Sequence, residues 1–286
     1  MTKNNLSPSW KKLLKAQLTA NIKEQGPSAA YLSLSTVRPD NNPANRVVVF
    51  RGFAGESYKE ETGWESDLLT ITCDKRSPKV QEIAANPNVE ICWFMGSTKE
   101  QFRIRGRMHA FGDGLNPSES LNSHIGRKHH GMPSLDEEKE EDHETDFSDR
   151  LSQASKSFLK RIRSLKHHIK PNAPFDWQAE RLRQWYGLTD QLRATFTWPA
   201  PGTPKEPVEE EEATFRIETL TIEESDDNGW FSHQDADKRA LLERGYENFV
   251  VLFLEVTEVD HSYLETSVRT IYRKEDDTWN AVEVNP

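Results

Sequence analysis

RVVVFRG, residues 46–52, sets four apolar residues between two arginines. On a strand, side chains alternate between faces, so Arg46, Val48 and Phe50 share one side and Val47, Val49 and Arg51 the other. A buried strand with a cation near each end is the reading. TCDKRSPK, residues 72–79, follows a second apolar run. It has the grammar of a helix start: Ser77 at the N-cap, Pro78 at the first helical position, then Val80, Ile83 and Ala84 at helical spacing. The helix is expected to stop at Asn86-Pro87. Such an N-terminus offers unpaired N–H groups and a partial positive charge, and Arg76 and Lys79 flank it with full charges. That is a place for a phosphate. In EQFRIRG, residues 100–106, Gln101, Arg103 and Arg105 alternate with Phe102 and Ile104, giving a strand with one apolar face. The Gln101 amide offers a donor and an acceptor to one planar edge. Singly, these features read as solvated arginines, an ordinary helix cap and a surface glutamine. Their order and spacing set them apart.

Together the three strings resemble the FMN-binding core of the pyridoxamine 5′-phosphate oxidase-like flavoproteins, over about residues 7 to 110. Arginine stands at Arg51 where many members carry lysine, and Cys73 where threonine is usual. The turn Asp74 to Lys79 is similar to the sub-branch reading Asp-x-Arg-Ser-x-Lys. The resemblance implies a mainly β protein with added helices: a six-stranded antiparallel split β-barrel that forms a homodimer with FMN in the seam. It implies Arg46, Val47, Arg51, Thr72, Cys73, Arg76, Ser77, Lys79, Gln101 and Arg269 as cofactor-binding. Arg46, Arg51, Ser77 and Lys79 would hold the phosphate, Arg76 would add to the field, and Gln101 would reach the isoalloxazine rim from the neighbouring subunit.

Composition excludes several rivals. A net charge of −10 over 286 residues is a poor basis for nucleic-acid binding. Two cysteines, Cys73 and Cys92, are too few for a disulfide framework or a zinc site and point to a reducing compartment. No apolar run approaches a membrane span and no secretory signal opens the chain, so a cytoplasmic location is expected. HExxH, Gly-x-Ser-x-Gly, Walker and Rossmann patterns are all missing.

Along the chain, Ser7-Pro8 opens a helix with Trp10, Leu13, Leu14, Leu18 and Ile22 on one face. Strands are expected at about Ala30–Val37, Arg46–Phe53, Leu68–Cys73, Val89–Phe94 and Gln101–Phe111. Residues 113–176 read as an insertion within a single domain. It carries the acidic run 136–146 and a basic amphipathic helix at Ser148–His168, and a second acidic loop lies at Glu206–Glu212. His124, His129, His130, His143, His167 and His168 fall in the insertion and read as solvated, with no metal site expected. Residues 177–286 would complete the barrel and the dimer seam. There Phe249–Val256 reads as a buried strand, and Val268–Arg273 pairs with Asn280–Val284.

WYGLTDQLRATFTW, residues 185–198, resembles the family segment after the barrel core, with Trp185, Arg193 and Trp198-Pro199 in place and Thr189 near a serine position. True oxidases carry an Arg-x-His pair just before a flavin-contacting arginine, where it binds substrate phosphate and ring. If Arg269 is that arginine, the pair falls on Glu265 and Ser267. A glutamate repels a phosphate dianion, so a substrate other than a B6 phosphate is expected, unless Arg193 or an insertion residue supplies the cation. The reading is an FMN-dependent oxidoreductase with unassigned substrate and no assignable general acid or base. The alternatives are an authentic pyridoxamine/pyridoxine 5′-phosphate oxidase and a non-catalytic FMN- or haem-binding protein.

Overall fold

Six antiparallel strands close on themselves in the computed structural model, which describes residues 8–59, 63–116, 119–127, 175–204, 216–225, 231–276 and 278–286. In chain order these are β1 (Tyr31–Val37), β2 (Pro43–Phe53), β3 (Trp64–Ser66), β4 (Leu69–Asp74), β5 (Asn88–Met95), β6 (Glu100–Phe111), β7 (Ile125–Arg127), β8 (Glu224–Ser225), β9 (Phe231–Ser232), β10 (Phe249–Tyr263), β11 (Val268–Glu275) and β12 (Thr278–Val284). The barrel runs β10-β4-β2-β1-β5-β6 and returns to β10. Alternation sends Leu32 and Leu34, Val48, Ile91 and Trp93, Phe102 and Ile104, and Leu252 and Leu254 into one apolar core. All strands expected from the alternation are present, most with ends shifted by one to three residues, but the strand expected at Phe249–Val256 runs on to Tyr263.

Helix α1 (Ser9–Gln25) closes one end of the barrel. Trp10 and Leu14 are fully buried, and Trp10 meets Trp279 of β12 edge-on at 5.4 Å. Ile22, expected on the buried face, is 41% exposed, while Lys11 and Asn21 are buried. The reason is polar docking. The Lys11 ammonium donates to Ser66 O at 2.6 Å and to Glu56, and Asn21 Oδ1 accepts from Ser97 N at 2.8 Å, seating the helix on the β5–β6 turn.

β10 organises the rest. One edge pairs with β6 from Val251 to Tyr263. The other edge pairs with β4 through Phe249–Leu254 and then with β11 through Glu258–Tyr263. The barrel is split where β4 ends and β11 begins. A bulge between Val256 and Glu258 marks the hand-over, and Gly106 faces it so closely that a Cβ there would lie 2.0 Å from Glu255 O.

Charged side chains fill the split. His124 donates to Asp67 at 2.7 Å and to Glu255 at 3.3 Å, and Lys274 of β11 lies 3.7 Å from Asp67. His124 is therefore buried and paired, not solvated as its sequence neighbourhood suggests. Burial works against its charge, but bonds to Asp67 and Glu255 outweigh it and raise its pKa to about 9. Hydrogen bonds from His109 and His124 hold the Glu255 carboxyl far below its usual range.

A second apolar cluster packs outside the barrel, on the far face of β10. It is built by α3 (Trp177–Tyr186), α4 (Asp190–Thr195) and α5 (Ala236–Asn248) with Trp185, Phe196, Leu242, Tyr246, Phe249 and Phe253. The side chains of Asp176, Thr189 and Asp235 cap these helices. Part of the expected insertion packs on the rest of the fold: β7 pairs with β3 in a separate two-stranded sheet, and Leu121 is buried in the second apolar cluster. The run 136–146, the helix at Ser148–His168, the loop at Glu206–Glu212 and His129, His130, His143, His167 and His168 lie outside the described residues. Among the described residues no helix is long and apolar enough to cross a membrane, and no cluster of His, Cys, Asp and Glu could hold a metal.

Two stability measurements follow. Gly106→Ala should destabilise the protein by about 2–4 kcal/mol in denaturant melts, since the clash is with backbone rather than a movable side chain. For His124, the folded pKa near 9 lies above the ordinary 6.5, so its stabilisation is complete below about 6.5 and vanishes as pH rises through about 9. Wild-type melting temperature should fall across that window, and His124→Gln should flatten the fall. Identical profiles would show that the network carries no such linkage.

Candidate functional site

The start of α2 (Pro78–Ala85) collects cations and hydroxyls at one end of the barrel. Ser77 occupies the N-cap position as expected and Pro78 follows it. The Ser77 hydroxyl, however, does not cap the helix. It donates to Asp74 O at 2.6 Å and accepts from Lys79 Nζ at 3.0 Å, so no side chain caps the first-turn N–H groups. Arg76 is turned back onto Asp74, with Nη2–Oδ2 at 2.6 Å, and donates to Phe196 O at 3.3 Å.

Arg46 faces the same helix from β2. It donates to Glu82 Oε2 at 2.6 Å and to the Thr36 hydroxyl, and Thr36 in turn donates to Glu82 at 2.5 Å. Burial would raise the Glu82 pKa, but the bonds from Thr36 and Arg46 outweigh it and hold the carboxyl below its usual range. Lys79 and Glu82, the carboxylate that holds Arg46, stand three residues apart on α2 and share a face. Burial pushes the Cys73 thiol up to about 11, and Cys73 belongs to the core, so its side chain is neither ionised nor offered to a ligand.

Arg51 lies on the opposite face of β2 from Arg46. The structure brings Arg46, Ser77 and Lys79 together and leaves Arg51 apart, where Nε donates to Thr72 Oγ1 at 3.3 Å. Burial pulls the Arg51 pKa below its ordinary value, with Tyr31 acting in the other direction. Among the described residues no carboxylate pairs with Arg51 or Lys79. A half-buried cation without a counter-ion carries an uncompensated desolvation cost. An anionic ligand would relieve it.

Gln101 and Arg269 belong to a second place. With Arg103, Ser262 and Ser267 they line a cavity of about 300 Å³ on the outer face of β6, β10 and β11. Asp260 binds both arginines, Arg103 by a short contact and Arg269 at 2.8 and 3.0 Å. Burial would raise the Asp260 pKa, and the two guanidinium groups more than offset it. Three strand spacings, roughly 14 Å, separate β2 from β6 around the barrel. Between them the outer face carries Val47 at 66%, Tyr31 at 54% and Phe94 at 52% exposure. The donor set at α2 suits a phosphate, and the Gln101 amide beside two arginines suits a polar ring edge; the residues present therefore fit FMN.

Sequence reasoning missed Thr36, Glu82, Arg103 and Asp260. Arg103 was visible in the β6 alternation, whereas nothing marked Glu82 or Asp260 as partners of distant arginines. Glu265 is exposed and accepts from the Tyr263 hydroxyl at 3.1 Å. Ser267 lines the cavity in a left-handed conformation, φ 56°. Arg193 cannot stand in for the missing cation. It is 1% exposed within the second core and donates to Asp190 at 2.6 Å, Leu220 O at 2.7 Å and Leu188 O at 2.8 Å.

A closed six-stranded antiparallel barrel, opened along one edge, is a split β-barrel. Residues 7–112 match the family described as pyridoxamine 5′-phosphate oxidase, FMN-binding domain. The chain is 39% identical over 111 residues to pyridoxine/pyridoxamine 5′-phosphate oxidase 2 of Arabidopsis thaliana; the match covers 39% of this chain and 50% of that protein. The chain thus spans half the length of that curated relative. An uncharacterized protein of Saccharomyces cerevisiae is 25% identical over 285 residues, covering 86% of this chain and 88% of its own. The fold is similar to a pyridoxamine 5′-phosphate oxidase-related, FMN binding protein from Nostoc punctiforme PCC 73102, with a TM-score of 0.57 and 23% identity over 98% of both chains.

Arg193→Ala should strip Asp190, Leu220 O and Leu188 O of their donor and cost about 3 kcal/mol, read as a fall in the denaturation midpoint. Flavin affinity measured on the folded fraction should stay unchanged. A selective loss of flavin would return Arg193 to the binding site.

Proposed function

We propose that the protein is a homodimeric FMN-dependent oxidoreductase of the pyridoxamine 5′-phosphate oxidase-like class, acting on a substrate other than a B6 phosphate ester. The observation that carries this is the pair of half-buried cations without counter-ions, Lys79 at the start of α2 and Arg51 on β2, within a domain of an FMN-binding family. Lys79, Ser77 and Arg46 would bind the ribityl phosphate by charge-assisted hydrogen bonds reinforced by the α2 N-terminus. Arg51 and Thr72 would meet a polar edge on the other face. FMN, when bound, supplies hydride and electron transfer. The chain's own contribution is binding, orientation and a cationic field from Arg103 and Arg269, half cancelled by Asp260.

The homodimer is supported by the outer face. Val47, Tyr31 and Phe94 form an exposed apolar strip between the phosphate locus and the Gln101 cavity, a pattern that marks interaction surfaces. A two-fold contact across this strip would bring Gln101 of one copy toward β2 of the other. A cytoplasmic location is consistent with the free thiols of Cys73 and Cys92.

The departure from B6 chemistry rests on residues 265–269. Ser267 lines the cavity and the exposed Glu265 lies beside it in the chain, where a phosphate ester would need an imidazole and a cation, and Arg193 is spent on carbonyls. The named activity of the Arabidopsis protein is the second reading, favoured by its 39% identity, but that match covers only 39% of this chain, and the FMN-binding domain match ends at residue 112.

The visible spectrum of the purified protein separates flavin, haem and no cofactor at once. Lys79→Ala should weaken FMN binding roughly ten- to a hundredfold, the worth of one charge-assisted bond, with the circular dichroism spectrum unchanged. Undiminished FMN retention would remove the phosphate-site assignment. Turnover of either B6 phosphate by the flavin-loaded protein at about 1 per second or faster would restore the named activity.

A further inference from the structure

The polar network behind Arg46 has no part in the reading so far. Glu82 is 5% exposed and Thr36 2% exposed, whereas the Arg46 side chain keeps 22% of its surface. The anion and the hydroxyl are thus inside, and the guanidinium faces outward from them. Glu82 Oε2 accepts from both Arg46 at 2.6 Å and Thr36 at 2.5 Å, and Arg46 also donates to the Thr36 hydroxyl, so the three groups form a closed ring of bonds. Three elements meet in it: β1, β2 and α2. Glu82 stands one turn beyond Lys79 on the same helix, so i and i+3 share a face. Arg38, 4.0 Å from Glu82, is the other cation facing the carboxylate.

We propose that Glu82 is a positioning residue for the cofactor phosphate: with Thr36 it fixes the Arg46 guanidinium beside the Lys79 end of α2, so that the phosphate meets a pre-oriented cation. The inference rests on the phosphate-site reading given above. An arginine has many rotamers, and freezing them in the unliganded protein removes that entropy from the cost of binding. Glu82 does so at the expense of one unit of positive charge near the phosphate. Its low pKa keeps it ionised throughout the neutral range, so the arrangement is fixed rather than titrating. The opposite role, a carboxylate that competes with the phosphate for Arg46, makes the opposite prediction for removal of the side chain.

Riboflavin lacks the phosphate and is otherwise the same ligand, so the ratio of FMN to riboflavin affinity reads the phosphate contact alone. Flavin fluorescence quenching on apoprotein measures both, without reference to turnover. Glu82→Ala should lower the FMN preference about tenfold while riboflavin affinity holds. Glu82→Gln keeps an acceptor oxygen and should stay within about threefold of wild type. Thr36→Val, which leaves the carboxylate in place, should lower the preference in the same direction as Glu82→Ala and serves if that variant does not fold. An unchanged or increased preference in Glu82→Ala overturns the proposal in favour of competition. Equal loss of both flavins also overturns it, reducing Glu82 to a structural role. If the wild type does not prefer FMN, or Lys79→Ala leaves the preference intact, the phosphate-site reading itself fails and the positioning role falls with it.

Discussion

Everything in this fold depends on β10 having one partner along one edge and two in succession along the other. A strand of 15 residues is long enough to pair with β6 throughout, to close the barrel on β4 with its first part, and to carry the β11–β12 hairpin on its second. The change of partner leaves a gap in the hydrogen-bond ladder, and backbone groups near such a gap need other satisfaction. Two features make the gap tolerable. Gly106 lets the bulged β10 backbone approach β6 more closely than any side chain would permit. The Asp67, His124, Glu255 and Lys274 cluster fills the opening with mutually compensated charge. The same division separates the two apolar cores, because residues of β10 before the bulge alternate between the barrel interior and the helical layer.

The strands were legible because period-two alternation is a local signal that the barrel preserves. Leu32 and Leu34, Ile91 and Trp93, and Phe102 and Ile104 all point inward as the pattern requires. The start of α2 was legible for a related reason: Ser77-Pro78 is local chemistry, and Asn86-Pro87 stops the helix where it should. The helices α3, α4 and α5 were not anticipated as elements. α5 buries only Leu242, Gly245 and Tyr246, and the buried faces of α3 and α4 hold Glu180, Arg181, Arg183, Gln184 and Arg193, so a search for apolar periodicity finds little there. These side chains are buried because they bond to one another and to carbonyls: Arg181 to Phe249 O and Tyr246 O, and Arg183 to Glu180. Polarity in sequence was read as exposure, and tertiary pairing reversed it. His124 misled for the same reason.

The candidate site shows where such reading stops. The types of residue were recoverable, since cations, a Ser-Pro helix start and a strand glutamine announce themselves. Which cation is already neutralised was not, because the neutralising groups lie far away in sequence: Glu82 is 36 residues from Arg46, and Asp260 is 157 residues from Arg103. That distinction governs binding. A guanidinium locked to a buried carboxylate is oriented but partly discharged, as with Arg46, Arg103 and Arg269. Lys79 and Arg51 have no carboxylate partner among the described residues, and burial costs the Arg51 guanidinium directly. The two kinds of cation therefore do different work at an anion, the first supplying geometry and the second supplying attraction. The locus at α2 contains one of each: Arg46, held to the helix through Glu82, and Lys79 on its first turn. The cavity at Gln101 contains two of the oriented kind and a shared aspartate. An anion as highly charged as a phosphate thus has a reason to settle at α2. The Gln101 cavity, with its two arginines already held by Asp260, is better matched to a ligand that is polar and planar but carries less charge.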